Sequence, residues 1–187
     1  MKIGVMSLAH LHALGYIRLL SARPDVELAV ADPDAGERPP GESGGRALAE
    51  ELGVDRYFDT YEELLDWAPD GVVVCSENSR HRELTELAAA AGAHVLCEKP
   101  MATTVADGEA MVAACAAAGV HLMVAYPVRF SRQFRALQAR PPASTGSANQ
   151  ARAVGSVPLF VPVTEITRPS AGSLACRARN WRENRTG

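Results

Sequence analysis

Short apolar runs alternate with amphipathic segments from the first residues of this chain, and that alternation limits the fold more than any other feature. Ile3-Gly4-Val5-Met6, Glu27-Leu28-Ala29-Val30-Ala31, Val72-Val73-Val74-Cys75, Ala93-His94-Val95-Leu96-Cys97 and Val120 to Tyr126 each read as a strand, and Arg56-Tyr57-Phe58 reads as a shorter one. Strands separated by helices pair in parallel through βαβ crossovers rather than as hairpins. The intervening pattern is helical: Leu11, Leu14, Ile17 and Leu20 share roughly one side, and Leu84, Leu87, Ala88 and Ala91 fall at i, i+3, i+4 and i+7. Thr60 is placed to cap a helix over Glu62 to Trp67, Gly92 to end the helix that carries Leu84 to Ala91, Thr104 with Asp107 to open the next helix and Gly119 to end it. A Gly-, Pro- and Glu-rich loop over Ala35 to Gly45 precedes a helix from Arg46 to Leu52, and a last helical segment runs from Ser131 to Gln138. The expectation is an α/β fold over residues 1–138: a doubly wound parallel sheet of the dinucleotide-binding (Rossmann) kind with about six strands.

Open sheets of this kind bind ligands at the carboxyl ends of their strands, so the residues that follow each strand are the candidates for chemistry. After the first comes Ser7-Leu8-Ala9-His10-Leu11-His12, where a dinucleotide fold carries Gly-x-Gly-x-x-Gly. No glycine of that fingerprint is present, although Ser7 and Ala9 are small and the following helix offers its first amides to an anion. His10 is a candidate donor to a pyrophosphate. His10 and His12 are two apart, which on a helix turns them in different directions, so no metal site is expected. Asp32 ends the second strand 25 residues after Ser7, at the spacing where an acid accepts the hydroxyls of an adenosine ribose. A carboxylate there repels a 2′-phosphate and favours NAD over NADP, with Arg38 in the next loop able to offset it. The plainer account makes Asp32 the start of the Asp32-Pro33-Asp34 turn.

After the fourth strand, Cys75-Ser76-Glu77-Asn78-Ser79-Arg80-His81 brings several polar groups to the same edge, with Asn78 or Ser79 able to cap the next helix and His81 able to hold the loop. The fifth strand runs straight into Glu98-Lys99-Pro100, an acid, a base and a proline where turn residues are usual. Lys99 is either a solvated loop lysine beside Glu98 or a ligand-facing ammonium held by a stiff Lys-Pro peptide with access to the cis form.

Together, Ser76-Glu77-Asn78 with His81, Cys97-Glu98-Lys99-Pro100, and Tyr126-Pro127-Val128-Arg129-Phe130 resemble successive signatures of the glucose–fructose oxidoreductase/inositol dehydrogenase/rhizopine catabolism (Gfo/Idh/MocA) family of NAD(P)-dependent oxidoreductases. The resemblance covers about Met1 to Leu137, and Glu-Lys-Pro is its most specific part. It implies an amino-terminal Rossmann domain followed by a carboxy-terminal α/β domain, and a hydride transfer between a sugar or cyclitol hydroxyl and a nicotinamide cofactor. By that resemblance Lys99 is the catalytic residue, touching the reacting hydroxyl and the nicotinamide ribose. Glu98 and Pro100 shape its loop, Ser76, Glu77, Asn78 and His81 flank the cofactor, and Arg129 lies near it at the domain junction. Ser7, Leu8, Ala9, His10 and Asp32 complete the dinucleotide site. A lysine suits the chemistry, because loss of hydride builds negative charge on the hydroxyl oxygen that a nearby cation stabilises. The cofactor takes the hydride itself.

The chain departs from the family pattern in its glycine fingerprint and in a second respect. The family's proton-transferring histidine, in an Asp-x-x-x-His arrangement, belongs to the second domain, whereas the histidines here are at 10, 12, 81, 94 and 121. From Ala139 the texture changes to Pro, Ser, Ala and Arg. Residues 1–138 hold 20 acids and 12 bases, while the remaining 49 hold two acids and seven arginines. Only Val157 to Ile166 is strand-like there, and Pro158 and Pro162 interrupt it. The expectation is an irregular or disordered tail over 139–187 with the second, substrate domain missing, of the kind a shift of reading frame would leave; the rival is a tail that binds a partner or lipid surface. A net charge of −3, the lack of a secretory leader, and four cysteines without CxxC pairing suit a cytoplasmic protein with buried free thiols. Its expected partners are a nicotinamide dinucleotide, a sugar or cyclitol if a second domain is supplied, with homo-oligomerisation left open, but neither nucleic acid nor membrane. The alternative is a non-catalytic nucleotide-binding or regulatory module on the same fold.

Overall fold

The computed structural model of this chain describes residues 1–138. The described residues fall into two units, 1–125 and 126–138. The reading of 139–187 as an irregular tail, with Cys176, lies outside them.

The first unit is a single parallel sheet. Strands β1 (Lys2–Met6), β2 (Glu27–Ala31), β3 (Tyr57–Phe58), β4 (Gly71–Val74), β5 (His94–Cys97) and β6 (Leu122–Val124) stand in the order β3-β2-β1-β4-β5-β6. Every pairing is parallel, with Val5 opposite both Val30 and Val73, and Val74 opposite Cys97. Helices α1 (His12–Ser21), α2 (Gly45–Glu51), α3 (Tyr61–Asp66), α4 (His81–Ala90) and α5 (Val105–Ala118) provide the crossovers. The chain winds outward from β1 to β3, returns to β4 and winds the other way, so the order reverses between β1 and β4. That reversal is the switch point where doubly wound sheets open a crevice.

Strands covered on both faces read as continuous apolar runs. In β4, Val72 and Val74 pack into one cluster with Leu64, Leu84, Met111 and Cys115, while Val73 and the adjoining Cys75 join Val5, Ile17, Ala13 and Ala49 on the other side. Gly4 sits mid-strand because α3 leaves no room above it: a Cβ there would lie 2.6 Å from Leu64 Cδ2 and 3.3 Å from Val72 Cγ1. Gly4→Val is therefore expected to destabilise the domain by about 1–3 kcal/mol, read as a lower urea midpoint at unchanged slope.

The caps follow the sequence. Thr60 accepts a hydrogen bond from the Glu63 amide at 3.1 Å, and Thr104 accepts one from Asp107 at 3.1 Å while its hydroxyl donates to the Asp107 carboxylate at 2.6 Å. Gly119 ends α5 with φ of +69°, the left-handed conformation that glycine enters freely.

Three expectations need correcting. The apolar side of α4 is rotated toward Thr85 and Ala89, both buried, leaving Ala91 exposed at the helix end. Leu11 precedes α1 rather than packing along it and is 80% exposed. The sixth strand is only Leu122–Val124, because β6 has a single neighbour and its ladder ends with β5.

The second unit holds a 3-10 turn, Pro127–Phe130, and α6, Arg132–Gln138, whose first turn is closed by the Phe134 amide donating to Ser131 Oγ at 3.2 Å.

Candidate functional site: the carboxyl edge of the sheet

Parallel strands place Ser7, Asp32, Ser76 and Glu98, each just beyond its strand, on one edge. The first turn is built by backbone bonds. The Ser7 amide donates to Ala31 O at 2.8 Å and the His10 amide to Cys75 O at 2.8 Å, so the turn spans β2, β1 and β4. Ser7 adopts φ of +70°, the conformation a fingerprint glycine would supply and one that costs another residue about 1–2 kcal/mol. Its hydroxyl offsets part of that by accepting from the Ala9 amide at 3.2 Å and from Arg38 at 3.1 Å.

Asp32 is buried and saturated. Its Oδ1 accepts from the Leu8 amide at 3.0 Å, its Oδ2 from the Gly45 amide at 2.7 Å, and both oxygens bond the Arg38 guanidinium. Arg38, its side chain only 4% exposed, also has Glu77 Oε1 3.8 Å from its Nε, which is buried without a hydrogen-bond partner. A second cluster joins the β2 and β4 loops, with Tyr61 donating to Asp34 at 2.8 Å and Arg80 paired with the same carboxylate. Burial and the bond to Asp34 raise the Tyr61 phenol well above its ordinary range.

At the other side of the reversal stands Glu98, fully buried. His12 Nδ1 lies 2.9 Å from Oε1, the Tyr16 hydroxyl donates to the same oxygen at 2.8 Å, and the Lys99 amide donates to Oε2 at 3.0 Å. Burial pushes this carboxyl up, but the hydrogen bonds from His12, Tyr16 and the Lys99 amide outweigh it and hold the group below its usual value. Lys99, half-buried and followed by a cis peptide to Pro100, sets its ammonium 3.3 Å from His10 Nε2. The His12 amide faces His10 Nδ1 at 3.2 Å. A neutral imidazole has one free lone pair, so these two donors compete for it. Burial lowers the His10 pKa and keeps the ring neutral near pH 7.

His81 is fully buried, with Nδ1 2.8 Å from Pro100 O and Nε2 3.3 Å from Ser76 O. It ties the β4 loop to the lysine loop. Ser76 is buried and its hydroxyl donates to Glu77 O at 3.2 Å, whereas Glu77 and Asn78 are exposed at the rim. Arg129 belongs to the second unit, in the turn Pro127–Phe130. Burial pushes the Cys97 thiol up to about 12 and raises those of Cys75 and Cys115, so these thiols are unreactive.

The expectation that His10 and His12 diverge is wrong, because α1 begins only at His12. His10 lies in the preceding turn, and the two rings meet edge to face with centroids 4.5 Å apart. Sequence reading also missed Tyr16 and His12 as partners of Glu98, although their i, i+4 spacing places both on one helix face.

Two features around Asp32 suit a polar ligand such as a nucleotide. Arg38 Nε is a buried donor with no hydrogen-bond partner, its ion-pair contact with Glu77 being 3.8 Å long, so it can still donate to an acceptor. Gly44 closes the cradle, since a Cβ there would come within 2.8 Å of Asp32 Oδ2.

Residues 39–126 match the family described as "Oxidoreductase family, NAD-binding Rossmann fold", the Gfo/Idh/MocA family. The chain carries the Rossmann domain of the Gfo/Idh/MocA oxidoreductases. It is 32% identical over 139 residues to myo-inositol 2-dehydrogenase of Thermotoga maritima, covering 74% of this chain and 40% of that protein. Among solved structures it is similar to a probable dehydrogenase from Thermotoga maritima, at 31% identity and a TM-score of 0.61 over 74% of this chain and 40% of that one. It is also similar to the WlbA dehydrogenase of Bordetella pertussis, solved with NADH and UDP-GlcNAcA, at 27% identity and a TM-score of 0.61 over 73% of this chain and 40% of that one. The chain thus spans about 40% of the length of these Gfo/Idh/MocA relatives. Among the described residues no helix is long and apolar enough to cross a membrane.

Proposed function

We propose that this Gfo/Idh/MocA domain holds a nicotinamide adenine dinucleotide across the reversal between β1 and β4 and presents Lys99 to a sugar or cyclitol hydroxyl. The observation that carries the reading is the shared edge: Ser7, Asp32 and Arg38 form one bonded group, His10 and Lys99 another, and the Ser7–His12 turn connects them. Asp32 and Arg38 would hold the adenosine ribose, the turn at Ser7 to His10 the pyrophosphate, and Ser76, Glu77, Asn78 and Lys99 the nicotinamide half. Arg38 sets the cofactor choice. Released from Asp32, it frees an acceptor for the ribose hydroxyls of NAD; retained, it neutralises the carboxylate that would repel NADP. NAD is the preferred cofactor and NADP is admitted.

The bound nicotinamide supplies the hydride acceptor. The Lys99 ammonium stabilises charge building on the hydroxyl oxygen, Glu98 fixes the lysine backbone, and His81 holds the Pro100 carbonyl so that the loop stays in place. Substrate selection is assigned to a second domain of the kind the longer relatives have room for, and residues 1–138 by themselves are expected to give no turnover with inositols or hexoses. The proposed setting is the cytoplasm, in a protein able to pair with further copies of itself and with no nucleic-acid or membrane partner.

Calorimetric titration with NAD and NADP tests the reading. Binding between micromolar and millimolar is expected for NAD. Leu11→Glu, which sets a carboxylate on the exposed tip of the pyrophosphate turn, should weaken it at least about tenfold without lowering the melting point. Absence of heat with both nucleotides, or indifference to Leu11→Glu, sinks it.

A further inference from the structure

His10, His12 and Glu98 offer two imidazole nitrogens and one carboxylate oxygen that all lie within 4.8 Å of one another. We propose that these three side chains form a site for a divalent transition-metal ion of the class that takes imidazole and carboxylate together, with zinc as the probe. The inference is independent of the nucleotide reading, since it rests only on what the three side chains present.

The donors come from separate places in the chain, a turn, a helix start and a strand end. Glu98 is fully buried, a burial that suits a carboxylate whose negative charge is matched by a cation. A cation already stands at the His10 member of the cluster, the Lys99 ammonium 3.3 Å from His10 Nε2. A metal ion would take that place, with the lysine's flexible stem swinging aside. The ring contact at His12 is of the same kind: the proton between His12 Nδ1 and Glu98 Oε1, 2.9 Å apart, is what a shared ion would replace. Binding through His10 Nε2 puts that ring's proton on Nδ1 and releases the 3.2 Å contact with the His12 amide, which lies at the exposed start of α1 and is open to water.

Zinc–ligand lengths of about 2.0–2.2 Å put neighbouring ligands roughly 3.3–3.5 Å apart, so the widest separations, within 4.8 Å, must shrink by up to about 1.4 Å while the 2.9 Å pair of His12 and Glu98 opens by about 0.5 Å. His10 and His12 are the members free to move, being half-buried and exposed. Three protein ligands leave one tetrahedral position open, the arrangement of reactive rather than structural zinc sites. That position would face the same edge as Lys99, where an oxygen ligand such as water or a hydroxyl can enter.

The test is titration of the full chain with zinc chloride by calorimetry, and with cobalt(II) followed by its visible spectrum. One ion per chain is expected, with intense cobalt bands of a four-coordinate site. His12→Ala should weaken zinc at least about tenfold. Lys99→Met should tighten it several-fold, because it removes the competing cation. His94→Ala, which breaks the pair of histidines at 94 and 121 with rings 4.9 Å apart, should leave it unchanged. His12 is exposed, so its loss leaves the fold intact; a far-ultraviolet spectrum checks this. Failure of zinc to bind, binding untouched by His12→Ala, or binding lost on His94→Ala would overturn the proposal.

Discussion

Asp32→Ala is expected to destabilise the domain by about 3–5 kcal/mol, the loss typical when one partner of a buried ion pair is removed. The carboxylate serves four donors at once: two backbone amides, from Leu8 and Gly45, and two guanidinium nitrogens of Arg38. Without it, a cation only 4% exposed keeps no counter-ion nearer than Glu77 at 3.8 Å, and both amides lose their acceptor. Against a total stability of about 5–15 kcal/mol that is a large share. Arg38→Met should cost distinctly less, because the carboxylate retains both amides and the Gly45 amide opens α2, where the helix dipole favours negative charge. Urea denaturation followed by circular dichroism ranks the variants. Equal losses for the two would show that the amides do not carry the carboxylate as argued.

The second large effect is expected at Glu98. Glu98→Leu leaves the Tyr16 hydroxyl, the Lys99 amide and the His12 ring without their acceptor. Unpaired buried groups cost about 1–3 kcal/mol each, less what water returns to the exposed His12, so a loss of about 2–4 kcal/mol is expected. The effect depends on pH in a definite sense. The folded-state pKa of Glu98 is depressed, by hydrogen bonds that outweigh burial. Its contribution is therefore complete above the unfolded value of about 4.3 and disappears as pH falls through the lower folded value. Wild type should lose stability over that acid window more steeply than Glu98→Gln, which has nothing to titrate there. Stability curves that run parallel from pH 6 to about pH 3 would remove Glu98 from this role.

The strands and caps were legible because they rest on local rules. Val72-Val73-Val74 is apolar on both faces and is buried on both, and Thr60 and Thr104 cap where their hydroxyls fall before a helix. Asp32 and Lys99 were legible through position, since anything that follows a parallel strand arrives at the same edge. What escaped the sequence was contact between segments far apart in it. Glu98 meets Tyr16 across 82 positions and His12 across 86, and no periodicity in either segment announces the other. The error over His10 and His12 has a different origin. It assumed a helix two residues too early, and a pair that diverges on a helix converges when one member sits in the turn before it.

The serine at position 7 carries a broader lesson about kinship. Its backbone follows the path reserved for glycine while its hydroxyl does a task no glycine can, so outline and spelling have come apart at the place where this fold is usually identified. Two chains can trace the same curve here and share not one letter of the signature, and a search for that signature alone would pass them as strangers.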